Sequence, residues 1–100
     1  MAKHNGRWFS MWMFIHVFLI AGSAFADSFA DARFAVRTKD YGSAVKIFSA
    51  LAQSGDVEAQ YQLAALYRSG RGVRKNHASA AHWYREAAQQ GHAKAEYNLG

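Results

Sequence analysis

The fold is decided by residues 56–91, which read DVEAQYQLAALYRSGRGVRKNHASAAHWYREAAQQG. When the chain is displaced by thirty-six positions, nine identities fall in the 26 aligned pairs from 39/75 to 64/100. Composition alone gives about two or three, so the match is an internal repeat. A repeat of this length is typical of a supersecondary unit that buries its apolar face only against neighbouring units. The sequence therefore predicts an all-α solenoid of helix–turn–helix units, and the identical pairs are Lys39/Lys75, Ser43/Ser79, Ala44/Ala80, Ala52/Ala88, Gln53/Gln89, Gly55/Gly91, Ala59/Ala95, Tyr61/Tyr97 and Leu63/Leu99.

Each predicted helix has a recognisable beginning and end. Asp40, Asp56 and Asn76 stand where their side chains can accept hydrogen bonds from the exposed amides of a first turn. Glycine and serine close the helices, because glycine adopts the left-handed backbone of a helix C-terminus without strain. We therefore expect a complete repeat over 56–91, a divergent half repeat over 27–55 with a short first helix near 28–37, and the start of a further, truncated repeat over 92–100.

Gly70 and Gly72, followed by the Trp83-Tyr84 pair, stand at characteristic spacings in the complete unit. With these spacings the unit resembles the Sel-one-like repeat, a relative of the tetratricopeptide repeat. The sequence departs from the family motif at Ala64, where Gly is usual, at Arg74, where Pro is common, and at His77, where Tyr is common. The resemblance implies helix pairs whose inner helices line a concave groove, and a non-catalytic function in protein–protein interaction. The small, aromatic and glycine positions of the motif are matched by Ala59, Leu63, Tyr67, Gly70, Gly72, Val73, Asn76, Ala80, Trp83, Tyr84, Ala87, Ala88 and Gly91.

Residues 1–26 have the organisation of a signal peptide. Lys3 and Arg7 form a positive start, and no Lys, Arg, Asp or Glu occurs from residue 8 to residue 26. An apolar centre over 11–20 leads to Ala24 and Ala26, which fit the A-x-A cleavage pattern. The pattern predicts a periplasmic or secreted protein that meets the membrane only transiently, with cleavage after Ala26. The alternative is an uncleaved N-terminal helix, which would make the protein a membrane-anchored envelope scaffold.

Composition limits the chemistry that the chain can perform. Residues 27–100 carry ten Lys and Arg against seven Asp and Glu, a formal net charge of +3, which favours an anionic partner only weakly. There is no cysteine, so neither a disulfide framework nor a thiol nucleophile is available. A basic run is predicted to be a solvated turn, or else an edge that docks on an anionic protein surface or lipid headgroups; it consists of Arg68, Arg71, Arg74 and Lys75.

No residue pattern amounts to a catalytic or metal site. His82 and Glu86 share a helix face, but two ligands without a third are weak evidence for a metal. Ser79 beside His82 lacks the orienting group that nucleophilic catalysis requires. We expect no enzyme activity, no cofactor and no nucleic-acid partner, with an enzyme of small envelope substrates as the least favoured alternative. His77 and His92, at helix starts, are expected to be solvated or capping residues.

The expected activity is therefore that of an adaptor for another protein in the bacterial cell envelope. Inner helices line the groove of such solenoids, so contacts to the partner are predicted from the first helix of the complete unit. The predicted contact residues are Gln60, Tyr61, Gln62 and Arg68.

Overall fold

The computed structural model describes residues 28–99. The leader, its cleavage residues Ala24 and Ala26, and the alternative membrane anchor lie outside that range. Residues 28–37 form helix α1, and four helices follow it: α2 (Tyr41–Gln53), α3 (Val57–Ser69), α4 (His77–Gln89) and α5 (Ala93–Leu99). Regular structure within 28–99 is helical throughout, which confirms the predicted all-α helix–turn–helix solenoid.

The predicted caps are the groups that start the helices. Asp56 Oδ1 accepts the backbone N–H of Ala59 at 2.8 Å, and Asn76 Oδ1 accepts that of Ser79 at 3.0 Å. Asp40 makes the corresponding contact at the start of α2, at 3.4 Å. Each side chain satisfies an amide that has no partner within its own helix, so these three positions determine where the helices begin.

The loop between α3 and α4 depends on its glycines. Gly70 terminates α3 in the left-handed conformation, with φ +70°, and Gly72 also has a positive φ, of +74°. The N–H of Asn76 donates to the carbonyl of Tyr67 at 3.0 Å and closes the loop. Gly72 lies directly against the backbone of Tyr41 at the start of α2. The loop of one unit therefore packs on the helix pair before it.

The core consists of two clusters that share their boundary residues. In both, alanines allow close approach of the helices and larger side chains fill the remaining space. Tyr67 and Trp83 pack against both clusters, so each helix pair shields its neighbour. The first cluster, between α1, α2 and α3, is Ala32, Ala35, Ala44, Phe48, Leu51, Ala52, Ala59, Leu63 and Leu66. The second, between α3, α4 and α5, is Ala64, Ala80, Tyr84, Ala87 and Ala95.

Not every residue of the repeat motif is fully buried. Tyr67, Val73, Trp83 and Ala88 are half-buried. Trp83 borders a surface depression beside α2, which leaves part of its ring accessible. On the last helix, Tyr97 and Leu99 are exposed. Within residues 28–99, no helix combines the length and the apolar character that crossing a bilayer requires.

Candidate functional site: the α1/α3/α5 groove

An open groove of about 440 Å³ runs along the first helices of successive units, and we call it the α1/α3/α5 groove. Helix α1 supplies one wall, α3 and α5 supply the other, and Phe48 of α2 lies beneath them. Its lining residues are Phe29, Arg33, Val36, Arg37, Phe48, Glu58, Gln62 and Lys94.

Glu58 is the one acidic residue that lines this groove, and both of its carboxylate oxygens are engaged. Gln62 Nε2 donates to Oε1 at 3.0 Å, and His92 Nε2 lies 2.7 Å from Oε2. Burial by itself raises the pKa of Glu58. The hydrogen bonds from Gln62 and His92, with the electrostatic attraction of His92 and Lys94, outweigh burial and hold the pKa below its ordinary value.

His92 connects α3 to α5 through three contacts. Its Nδ1 accepts the backbone N–H of Ala95 at 3.2 Å, which makes it the N-terminal cap of α5. Because Nδ1 is an acceptor, the neutral ring carries its proton on Nε2 and donates it to Glu58. The imidazole also stacks on Tyr61, with ring centroids 4.4 Å apart and planes at 17°. The capping role expected for His92 is confirmed.

The pKa of Glu58 leads to a prediction about pH. Because the folded-state pKa is lowered, the ionised carboxylate stabilises the fold above its unfolded-state pKa, and this contribution is lost as pH falls through the folded-state pKa. Its size at neutral pH is below about 1 kcal/mol, since the side chain is 48% exposed and solvent screens the pair. Glu58→Gln, which does not ionise, should therefore be less stable than wild type at neutral pH and approach it in acid.

Urea unfolding of both proteins between about pH 7 and about pH 3 measures this difference. Glu96→Gln removes the same charge from an exposed position on α5 and serves as the reference for a general charge effect. A stability difference for Glu58→Gln that stays constant across this range would contradict the prediction.

One predicted contact residue, Gln62, lines the groove. Tyr61 does not lie open, because its ring is enclosed between His92 and Tyr84, whose ring centroid is 5.7 Å away. Arg68 is exposed, and its Nη1 donates to Asn98 Oδ1 at 3.4 Å, which links α3 to α5. Tyr61 and Arg68 therefore lie at the junction of α3 with its neighbours and outside the groove lining.

The expectation that Gln60 contacts a partner is corrected by the structure, which places its side chain inside the protein. Its side chain is 3% exposed. Its Nε2 donates to the carbonyl of Ala52 at 3.2 Å, and its Oε1 accepts from Gln90 Nε2 at 2.8 Å. The buried amide thus satisfies its hydrogen bonds by joining α2, α3 and the end of α4, and it is not available to a partner.

Sequence reasoning missed the charged residues of the groove. Arg33 and Arg37 stand four apart on α1, as Glu58 and Gln62 do on α3, so each pair shares one helix face. The thirty-six-residue displacement also places Lys94 at the position equivalent to Glu58. These two signals identify the face of each helix, but neither shows that α1 and α5 lie beside α3.

The other residues that the sequence singled out for possible chemistry lie outside the groove lining. His82 and Glu86 border a separate depression between α2 and α4, also of about 440 Å³. No group of three or more His, Cys, Asp or Glu suited to a metal ion occurs among residues 28–99. In the basic run, Arg71 packs over the ring of Tyr41 at 5.4 Å, while Arg74 and Lys75 are exposed.

Comparison with known proteins agrees with the helix pairs. The family model of the Sel1 repeat matches residues 57–92, which cover α3, the loop and α4. The crystal structure of a Sel1 repeat protein from Oxalobacter formigenes is similar at 40% sequence identity, with a TM-score of 0.57. That match covers 58% of this chain and 24% of the other, so the chain aligns with about a quarter of that protein's length.

No protein of curated function matches the sequence significantly. The repeat pattern, the paired helices and the structural similarity agree with one another. Residues 57–92 match the family model of the Sel1 repeat, and the helix pairs of the described chain are similar to those of a Sel1 repeat protein.

Proposed function

We propose that this chain is a non-catalytic adaptor of the cell envelope that binds a partner polypeptide in the α1/α3/α5 groove. Sel1 repeats generally mediate protein–protein interaction, which makes a protein partner the first expectation. The observation that carries the proposal is the groove itself, an open space of about 440 Å³ lined by side chains from three successive inner helices.

The mechanism follows from packing. The helices that form the groove walls are held by buried alanines, by Phe48 and Leu63 in the first cluster, and by the Glu58–His92 contact. A surface that is already ordered loses little conformational entropy on binding, so more of the contact energy contributes to affinity. The partner then depends on a few side chains at the surface of an otherwise rigid groove.

Site-specific photocrosslinking tests where the partner binds. A photoreactive amino acid is introduced at Gln62, which lines the groove, or at Arg85, which is exposed on α4 outside it. In the cells that make the protein, illumination should join the Gln62 derivative to a discrete polypeptide and leave the Arg85 derivative uncoupled. Equal crosslinking from both positions, or from Arg85 alone, would place the partner elsewhere.

Export to the envelope is the second part of the proposal. The positive start at Lys3 and Arg7, the uncharged stretch up to Ala26 and the A-x-A site support it. The mature protein should begin at Asp27 and appear in the periplasmic or extracellular fraction. Intact mass spectrometry of that fraction measures the start, and a membrane-bound product that retains Met1 would instead favour the anchored scaffold.

A further inference from the structure

The charges of the α1/α3/α5 groove are unbalanced. Arg33, Arg37 and Lys94 line it together with one carboxylate, Glu58. That carboxylate is held by Gln62 and His92, and the contact with His92 is the one approach of a basic side chain within 4.0 Å of a carboxylate among the described residues. Although Lys94 lies close enough to influence Glu58, no carboxylate of residues 28–99 forms an ion pair with these three cations.

The base of the same groove is apolar. Phe29 and Val36 are half-buried and pack against the first core cluster, in which Phe48 is completely buried. The rings of Phe29 and Phe48 meet edge to face, with centroids 5.5 Å apart. An aliphatic or aromatic side chain entering the groove would therefore meet ordered apolar surface with cationic groups beside it.

We infer that the groove binds an acidic peptide segment that also carries an apolar anchor residue. This inference rests on the proposed function and adds the chemistry of the partner. Carboxylates of the segment pair with Arg33, Arg37 and Lys94, while the anchor contacts Phe29 and Val36. A peptide backbone N–H finds an acceptor in the amide oxygen of Gln62, whose nitrogen is engaged with Glu58.

Charge complementarity also favours an acidic peptide over other possible occupants of the groove. The chain's own leader carries Lys3 and Arg7 and no carboxylate over residues 1–26, so it does not complement a cationic groove. Residues 28–99 hold ten Lys and Arg against six Asp and Glu, so a second copy also brings net positive charge. A nucleic acid backbone would place phosphates beside the carboxylate of Glu58, whereas a peptide can set an uncharged residue there.

Selection from a random peptide library displayed on phage, with the full chain immobilised, tests this inference. Wild type should enrich peptides rich in Asp and Glu that contain a Leu, Ile or Phe. Arg33→Glu combined with Arg37→Glu should lower the affinity for such a peptide by at least about tenfold, as measured by fluorescence anisotropy. Raising the salt concentration from about 50 mM to about 200 mM should also weaken binding of the peptide to wild type, because part of the affinity is electrostatic.

The matched control is Lys46→Glu combined with Arg85→Glu, which makes the same change in net charge at exposed positions outside the groove. It should alter the affinity by less than about threefold, since only screened, distant charges change. All four replaced side chains are exposed, and circular dichroism verifies that both variants remain folded. An equal loss in the control would show general charge attraction and overturn the inference.

A third variant separates this inference from the proposed function. Gln62→Trp fills the groove without changing its charge. If the enriched peptides are not acidic and Gln62→Trp still abolishes their binding, the groove binds peptides and the acidic preference is wrong. If no peptide is enriched, or if Gln62→Trp leaves binding intact, peptide binding by the groove is contradicted as well.

Discussion

Phe48→Ala is expected to lower the free energy of unfolding by about 3–5 kcal/mol. The Phe48 side chain is completely buried, at 0% exposure, and lies in the cluster where α1, α2 and α3 meet. Truncation removes its transfer free energy and leaves a cavity that helices already in close contact through alanines cannot close. Since domains of this kind are stable by about 5–15 kcal/mol, the loss is a large fraction of the total.

Urea unfolding followed by circular dichroism measures the loss, and Phe34→Ala is the matched control. Phe34 is 60% exposed on α1, where its ring packs under the guanidinium of Arg37 at 5.9 Å. Its truncation should cost less than about 1 kcal/mol, because little apolar surface is withdrawn from water there. Equal losses in the two variants would mean that α1 and α2 do not pack as described.

The second large effect is expected from Gly72→Ala, at about 2–4 kcal/mol. Gly72 has φ +74°, and a Cβ at this position would stand 2.6 Å from the carbonyl carbon of Tyr41. The left-handed backbone costs an alanine about 1 kcal/mol, and forcing a methyl group against a neighbouring backbone adds about 1–3 kcal/mol. The Tyr41 carbonyl is part of the backbone and not the flexible end of a side chain. The clash is therefore relieved only if the loop moves away from α2.

Gly55→Ala isolates the contact from the backbone strain. Gly55 also has a positive φ, of +96°, but a Cβ there would meet nothing within 4 Å. Its replacement should therefore cost only the conformational term, about 1 kcal/mol. Thermal unfolding of both variants gives the comparison, and a Gly72→Ala protein no less stable than Gly55→Ala would show that the loop does not press on Tyr41.

Much of the fold could be predicted because it depends on near neighbours in the chain. The caps at Asp40, Asp56 and Asn76 act on amides three residues away. The end of α3 depends on the freedom of Gly70 to adopt φ +70°. Such interactions can be recognised in the order of residues, and the helix bounds agree with them.

The site could be predicted only in part, because burial depends on which helices meet. Gln60 and Gln62 are alike in chemistry and two positions apart. One is buried against Ala52 and Gln90, while the other lines the groove. Position on an inner helix predicts that both side chains face a partner, whereas the Gln60 amide donates to a backbone carbonyl of α2 inside the protein.

The sequence by itself determined the helix–turn–helix repeat, the points where the helices begin and the alanine and aromatic positions that form the core. Tertiary structure alone decided which side chains line the α1/α3/α5 groove. Helix α1 joins α2 through the short turn 38–40, whereas α3 joins α4 through the longer loop 70–76, so α1 falls outside the thirty-six-residue register. The placement of Arg33 and Arg37 opposite Glu58 and Lys94 is set by the packing of buried alanines, a contact between distant parts of the chain that periodicity does not encode.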